Sequence, residues 1–253
     1  MSYSVRLHRT AEEWEELLAD WSGDYPMQGV IEDEDGYQVF FASAATAERF
    51  ALAHGGVAAP VAEAVHAWWE DWEPLLVGER FFLCPPWRDE PTPPGRVRLA
   101  MIGANVFGGG EHQTTQLCLE LLEQVLRPGQ RVLDVGTGTG ILSAAARGLG
   151  AGTVWACDVE PAAVALAREH AATWQGSANA ARPGCVDLVV CNIHLAVMRE
   201  ILPDLRRLGA PLLLSGFLTE QIAELTAGMR VHAHREKDGW CAVWATAAEE
   251  QPG

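Results

Sequence analysis

Lysine is almost missing from this chain of 253 residues: Lys237 is the one lysine among 18 basic residues. That reads as a chain-wide bias towards arginine, not as a site. Positive charge is scarce altogether, with 34 acids against those 18 bases and a formal net charge of −16. Bare nucleic acid demands a basic footprint, so this balance argues against direct nucleic-acid binding. No run of eighteen apolar residues occurs, which argues against a membrane-spanning helix and a membrane partner. The first ten residues, Met1 to Thr10, lack the apolar stretch of a signal peptide. The six cysteines (Cys84, Cys118, Cys157, Cys185, Cys191, Cys241) form no C-x-x-C pair and mostly sit inside apolar runs. They read as small buried hydrophobes in a reducing cytoplasm, not as a disulfide framework, and no metal site is expected. No repeat or low-complexity tract is present.

Apolar residues make up 49% of the chain, enough for a core in one large domain or in one ordinary domain with a small companion. The most informative stretch is Arg131-Val-Leu-Asp-Val-Gly-Thr-Gly-Thr-Gly-Ile141. It predicts a buried strand, a tight loop and a helix. Gly136, Gly138 and Gly140 let the backbone take positive φ and let a ligand approach bare amides. The spacing is G-x-G-x-G, because Ile141 stands where a dinucleotide fold places its third glycine, so a nicotinamide oxidoreductase is disfavoured. With Asp134 at the loop entry, the stretch resembles motif I of class I S-adenosylmethionine (SAM) methyltransferases. A second apolar run, Thr153 to Cys157, ends on Asp158. The distance from Gly136 fits one helix and one crossover of a β-α-β unit. A carboxylate there can accept both ribose hydroxyls of a nucleoside; the competing role is to cap the helix beginning at Pro161.

Around these motifs the chain divides by pattern. Residues 1–60 read as a small α+β unit in the order β-α-β-β-α, like half of a ferredoxin-like sandwich. Its marks are a strand at 4–8, a capping box at Thr10–Glu13 opening a helix to Trp21, a hairpin around 33–36, and a helix over 45–54 stopped by Gly55-Gly56. Residues 61–75 read as a linker helix, with Trp68, Trp69 and Trp72 clustered along it. Residues 76–253 read as the larger domain. From Gln113 strands and helices alternate, which predicts a mostly parallel sheet covered on both faces, ligands collecting at the carboxyl ends of the strands. Asp134–Gly140, Asp158 and Asn192 all fall at such ends. Charge divides too: residues 1–98 carry 18 acids against 7 Arg, residues 99–253 carry 16 against 11 bases. An acidic front half suits attraction to a basic protein, though plain solubility explains it as well.

Three further segments sharpen the resemblance. Val186-Asp-Leu-Val-Val-Cys-Asn-Ile193 puts a polar carbonyl after a buried strand. Phe107-Gly-Gly-Gly-Glu-His-Gln-Thr-Thr115 resembles the Phe-Gly-Thr-Gly-x-His-x-Thr-Thr segment of the PrmA-type family, which methylates ribosomal protein L11 of the large subunit. Leu214-Ser-Gly-Phe-Leu218 resembles that family's Leu-Ser-Gly-Ile-Leu run. Asp238-Gly-Trp240 is similar to its closing Glu-x-Trp segment. The resemblance covers nearly the whole chain. It implies a Rossmann-like class I methyltransferase domain and a small N-terminal domain that grips the ribosomal protein. It also implies SAM as cofactor, with contacts at Thr115, Gly136, Asp158 and Asn192. Phe107, Gly108, Asp134, Gly138 and Gly140 complete the cofactor-binding set expected from the two glycine-rich segments.

The resemblance implies N-methylation of lysine side chains or an N-terminal amine, by an enzyme expected to act as a monomer in the cytoplasm. The sulfonium of SAM is already a strong electrophile, so alignment and a neutral nitrogen are what the protein must supply. A lysine titrates at about 10.4 and an α-amine at about 8, and a partly dry pocket lowers both. Asn192 is expected to orient the amine. His112 is a candidate base, the alternative being a loop organiser; His194 is a third candidate, the alternative being an exposed helix-start residue. Gly109 stands where the family usually has Thr, and the stretch 173–186 is shorter than usual. Two alternatives therefore stay open: a small-molecule methyltransferase, and a catalytically weakened SAM-fold module that binds a translation component.

Overall fold

The computed structural model describes residues 3–10, 13, 14, 17, 36–41, 43–60, 72–101 and 108–248, and the backbone of 27–33. Of the linker helix expected over 61–75, residues 61–71 lie outside the described residues and 72–75 are not helical, Leu75 already opening a strand. Of the helix expected to run to Trp21, Glu13, Trp14 and Leu17 are helical and the rest lies outside the described residues, as does Phe107. The chain divides into two compact units, Met1–Trp72 and Glu73–Gly253.

In the first unit, strands β1 (Tyr3–Leu7), β2 (Met27–Asp33), β3 (Gly36–Phe41) and β4 (Ala58–Pro60) form one antiparallel sheet in the order β2-β3-β1-β4. Strand β4 was not expected from the sequence. It is three residues long and lies largely open to solvent, so it carries no alternation to read. It adds to the free edge of β1 and completes the ferredoxin-like strand order. The helix Ala44–His54 begins where Ser43 Oγ accepts the Thr46 N–H at 3.2 Å. It ends at Gly55, whose φ of +90° is a left-handed stop. Phe50 from this helix packs on Phe41, with ring centroids 4.9 Å apart, above a floor of Val5, Leu7 and Val39.

The second unit opens with a three-stranded sheet, β5 (Leu75–Val77), β6 (Phe81–Cys84) and β7 (Val97–Ala100). After the helix Gln113–Val125 comes the alternating region. Its strands are β8 (Arg131–Val135), β9 (Thr153–Asp158), β10 (Ala172–Gln175), β11 (Leu188–Asn192), β12 (Leu212–Leu218), β13 (Met229–Lys237) and β14 (Trp240–Ala247). They form a seven-stranded sheet in the order β10-β9-β8-β11-β12-β14-β13. The five strands from β10 to β12 run parallel, and the β13–β14 hairpin closes the far edge antiparallel. This is a Rossmann-like class I methyltransferase fold. Strands β8 and β11 lie at its centre, buried on both faces, which is why both read as nearly unbroken apolar runs.

The hairpin turns at Asp238-Gly239, where both residues have positive φ (+52° and +81°). Two such residues in a row match the right-handed twist of the strands they join. Lys237 donates to Gln116 at 3.1 Å and Arg235 to Gln124 at 2.9 Å, tying the hairpin to the helix Gln113–Val125. Strand β10 follows the helix that begins at Pro161, for which the sequence pattern predicts a longer run, to 172. That helix stops at Ala167, and the short stretch that follows supplies a full edge strand paired in parallel with β9.

Candidate functional site

The strand order reverses direction between β8 and β11. Their connections leave on opposite sides there, so a crevice opens at their carboxyl ends. It is a cavity of about 670 Å³, lined mainly by apolar surface. Such a size and lining suit a small organic ligand held by a few polar groups. Gly136 and Gly138 from the loop after β8, Asp158 from β9 and Asn192 from β11 all line it. Three sequence motifs spread over 56 positions, from Gly136 to Asn192, thus meet at one place.

Each motif is held by local chemistry. Gly136 has a φ of +70°, and a Cβ there would meet Ile193 Cγ2 at 2.2 Å, so the loop passes this point only without a side chain. The Gly136 and Thr137 N–H groups both donate to the Cys157 carbonyl, at 2.9 and 3.1 Å, which ties the loop to β9. Gly140 serves helix packing instead: a Cβ there would reach Ala167 Cα at 2.9 Å. Gly108 accepts the Thr139 hydroxyl at 2.6 Å through its carbonyl and fastens the 108–111 segment onto the loop.

Asp158 holds its carboxylate in place with two backbone donors. Oδ2 accepts the Gly138 N–H at 3.0 Å and Oδ1 accepts the Glu160 N–H at 3.0 Å. The N-cap residue of the following helix is Glu160, so Asp158 stands before the helix, at the cavity wall. Each carboxylate oxygen has lone pairs left for a further donor.

Asn192 is 5% exposed. Its Nδ2 donates to Thr115 Oγ1 at 3.4 Å, a long contact, while its Oδ1 is buried without a partner. An orphaned buried acceptor costs about 1–3 kcal/mol, which a structural role alone does not justify. Thr115 itself is fully buried and does not line the cavity; it steadies Asn192, and its neighbour Thr114 supplies the wall.

His112 lines the cavity as the N-cap of the helix Gln113–Val125. Its Nδ1 accepts the Thr114 N–H at 3.3 Å and lies 2.8 Å from the Thr114 hydroxyl. With Nδ1 taken as an acceptor, the ring proton sits on Nε2. The ring also meets Trp240 edge-on, centroids 5.2 Å apart, and so props one wall. His194 lies at the start of the helix Leu195–Arg207, exposed, on the cavity rim, making no side-chain cap bond. Asp134 lies beneath the loop, 1% exposed and outside the lining, with Oδ2 accepting the Thr137 and Ser143 hydroxyls at 2.7 Å each.

The sequence reading passed over several wall residues. Val197, Glu200 and Ile201 lie on one face of the helix after Asn192. Their i, i+3, i+4 spacing was the available signal, since a helix leaving a strand tip turns its first face to the cavity. Gly216 was quoted as part of a run but not as a site. A Cβ on it would lie 1.9 Å from the Ile193 carbonyl oxygen, and its φ is +100°. It marks the bulge between Ser215 and Phe217 in the pairing of β12 with β14, and it lets β12 lie directly against the Ile193 backbone, whose N–H donates to the Ser215 carbonyl at 3.2 Å.

The sequence profile of the family described as "Ribosomal protein L11 methyltransferase (PrmA)" matches residues 44–248. A "Ribosomal protein L11 methyltransferase" of Symbiobacterium thermophilum is 38% identical over 196 residues, 71% of this chain and 64% of the relative. A namesake from Cupriavidus necator is 39% identical over 186 residues, covering 69% of this chain and 62% of that one. The chain thus spans less than two thirds of the length of these curated relatives. The crystal structure of a ribosomal protein L11 methylase from Lactobacillus delbrueckii subsp. bulgaricus superposes with a TM-score of 0.63 at 26% identity. That match covers 70% of this chain and 99% of the solved one.

Proposed function

The chain belongs to the ribosomal protein L11 methyltransferase family, and we propose that it is a SAM-dependent N-methyltransferase acting on amino groups of that ribosomal protein. The observation that carries this reading is Asn192, a wall residue of a cavity that the glycine loop and Asp158 also line, with its Oδ1 buried and unpartnered. The residues present fit SAM. Asp158 offers a carboxylate preset by two backbone donors for the ribose hydroxyls. The glycine loop offers close approach without side chains, and Gly176 and Ser177 bound the cavity beyond Asp158.

When bound, SAM supplies an electrophilic methyl group on a positively charged sulfur. The chain's own residues then do three things. Val135, Val159, Ile193, Val197 and Ile201 make the cavity apolar, which disfavours an ammonium and promotes the neutral amine that can attack. Asn192 Oδ1 accepts an N–H of that amine, aiming its lone pair along the line of transfer. Trp240, propped by His112, closes the wall and limits water. His112 acts as a helix cap and wall support in this scheme, and the amine's proton leaves to solvent past the His194 rim.

The substrate would be drawn in by charge. Glu160 and Glu200 stand on the cavity wall, and residues 1–98 carry the greater part of the acidic excess. Both favour a basic protein bearing lysines. No helix among the described residues is long and apolar enough to cross a membrane.

The test is direct. Purified chain, SAM and ribosomal protein L11 are incubated together, and the ribosomal protein is mapped by mass spectrometry. The expected result is methyl groups on lysine or α-amino nitrogens, in amounts that depend on the enzyme. An unmodified ribosomal protein, with small amines methylated instead, would overturn the substrate assignment.

A further inference from the structure

Asp134 lies next to the cavity yet takes no part in the proposed transfer. It is a carboxylate in the middle of a sheet, 1% exposed, with two hydroxyl donors on Oδ2 and none on Oδ1. Holding the loop explains Thr137 and Ser143 as partners, but an Asn or a hydroxyl would do that without burying a charge. The ionisable groups facing it add no positive charge. They are Asp158 and Cys157 from β9, Cys191 from β11 and Cys118 from the helix Gln113–Val125, while the helix Ile141–Gly148 offers it the Ser143 hydroxyl and backbone N–H. Burial pushes the three thiols upward, Cys157 to about 12, so they stay neutral. Among the described residues no cation pairs with Asp134. The chain steps directly from it to Val135 and Gly136, which line the cavity.

A buried negative charge that lacks a counter-ion, set immediately behind a ligand cavity, has a field that water screens poorly. We infer that Asp134 is a specificity-determining and positioning residue whose charge makes the cavity prefer the positively charged sulfonium cofactor over its neutral thioether product. This rests on the reading that the cavity holds SAM. The preference matters for turnover: methyl transfer removes the positive charge from sulfur, so the attraction ends with the reaction and the spent cofactor is released more readily. Burial, opposed by the Ser143 and Thr137 hydrogen bonds, lifts the carboxyl to about 6. It is ionised at neutral pH and loses its charge as pH falls through that value.

The experiment measures dissociation constants of SAM and of S-adenosylhomocysteine for the full chain and for Asp134→Asn by calorimetry. The two ligands share every group except the methyl and its charge, so damage to the loop weakens both alike. The expected result is that the variant loses roughly tenfold more affinity for SAM than for the thioether, the size one unit charge within about 12 Å supplies at an effective dielectric of about 20. Equal weakening of both, or no change in their ratio, overturns the inference while leaving the cofactor reading intact. Failure of the wild-type chain to bind either ligand overturns both. If the variant does not fold, the wild-type ratio measured from about pH 8 down to about pH 5 decides: a falling preference for SAM supports the inference, a constant one sinks it.

Discussion

Replacing Asn192 by alanine separates chemistry from stability more cleanly than any other change in this chain. The side chain makes one hydrogen bond, the 3.4 Å contact to Thr115, and buries one acceptor with no partner. Truncation removes a weak bond and some packing, but it also removes an orphaned acceptor that costs about 1–3 kcal/mol. The two effects oppose, so the net change in folding stability is expected to stay within about 1 kcal/mol. For a unit of this size that is a melting-temperature shift of about 2–4 °C. The same truncation deletes the acceptor proposed to aim the amine. A hydrogen bond with a nitrogen that becomes charged is worth about 1.5–3 kcal/mol. Its loss slows methyl transfer roughly 10- to 150-fold. The assay is single-turnover transfer from SAM to ribosomal protein L11 at saturating concentrations, beside thermal melts and calorimetric binding of SAM. Cofactor affinity should change far less than the rate. A variant that melts many degrees lower yet transfers methyl groups at the wild-type rate would refute the reasoning, because Asn192 would then be a structural residue.

Three other perturbations follow from the same geometry. His112→Asn keeps a side-chain acceptor for the Thr114 N–H and should keep most activity, whereas His112→Ala should cost about 1 kcal/mol of stability with the lost cap; an inactive but stable Asn variant in kinetic assays would instead point to a proton-transfer role. Gly216→Ala should cost about 1–3 kcal/mol in backbone strain alone, with a further loss of turnover as the Ile193 carbonyl is pushed towards the cavity; unchanged urea unfolding and unchanged rate would contradict the close approach. Asp134 has a folded-state value near 6 against 3.8 for the free group, so its contribution to stability is fully present below about 3.8 and is lost as pH rises through about 6. The lost contribution is of the order of 3 kcal/mol, and Asp134→Asn should flatten the ligand-free stability profile between about pH 4 and pH 6, as followed by chemical denaturation.

The parts of the site that were legible in advance are those where one residue type answers one local demand. Glycine at 136, 138 and 140 is such a case, because positive φ is nearly glycine's alone. Asp158 and Asn192 are others, because a polar residue closing a buried apolar run must lie at a strand tip. The helices starting at Gln113 and Leu195 were readable from periodicity. Strand β4 and strand β10 were not. The first is three residues long and open to solvent, and the second, Ala172–Gln175, is short and only partly buried. Both are stabilised by an unpaired neighbouring edge and not by a pattern of their own. The same limit applies to Thr114 and Thr115: adjacent and chemically alike, one lines the cavity and the other steadies Asn192.

The strand–helix alternation from Gln113 onward and the strand ends at Gly136, Asp158 and Asn192 can be read from the chain alone, since hydrophobic period and glycine placement act over a few residues and need no distant partner. What each site residue touches is visible only once the strands are packed together. Asp134 turned out to lie beneath the loop, Gly140 against a helix, His112 at a cap, and Asn192 Oδ1 alone in a dry wall. Those roles depend on which groups from other strands come within hydrogen-bonding distance. Burial and partner identity are properties of the packed sheet that no local stretch of chain encodes.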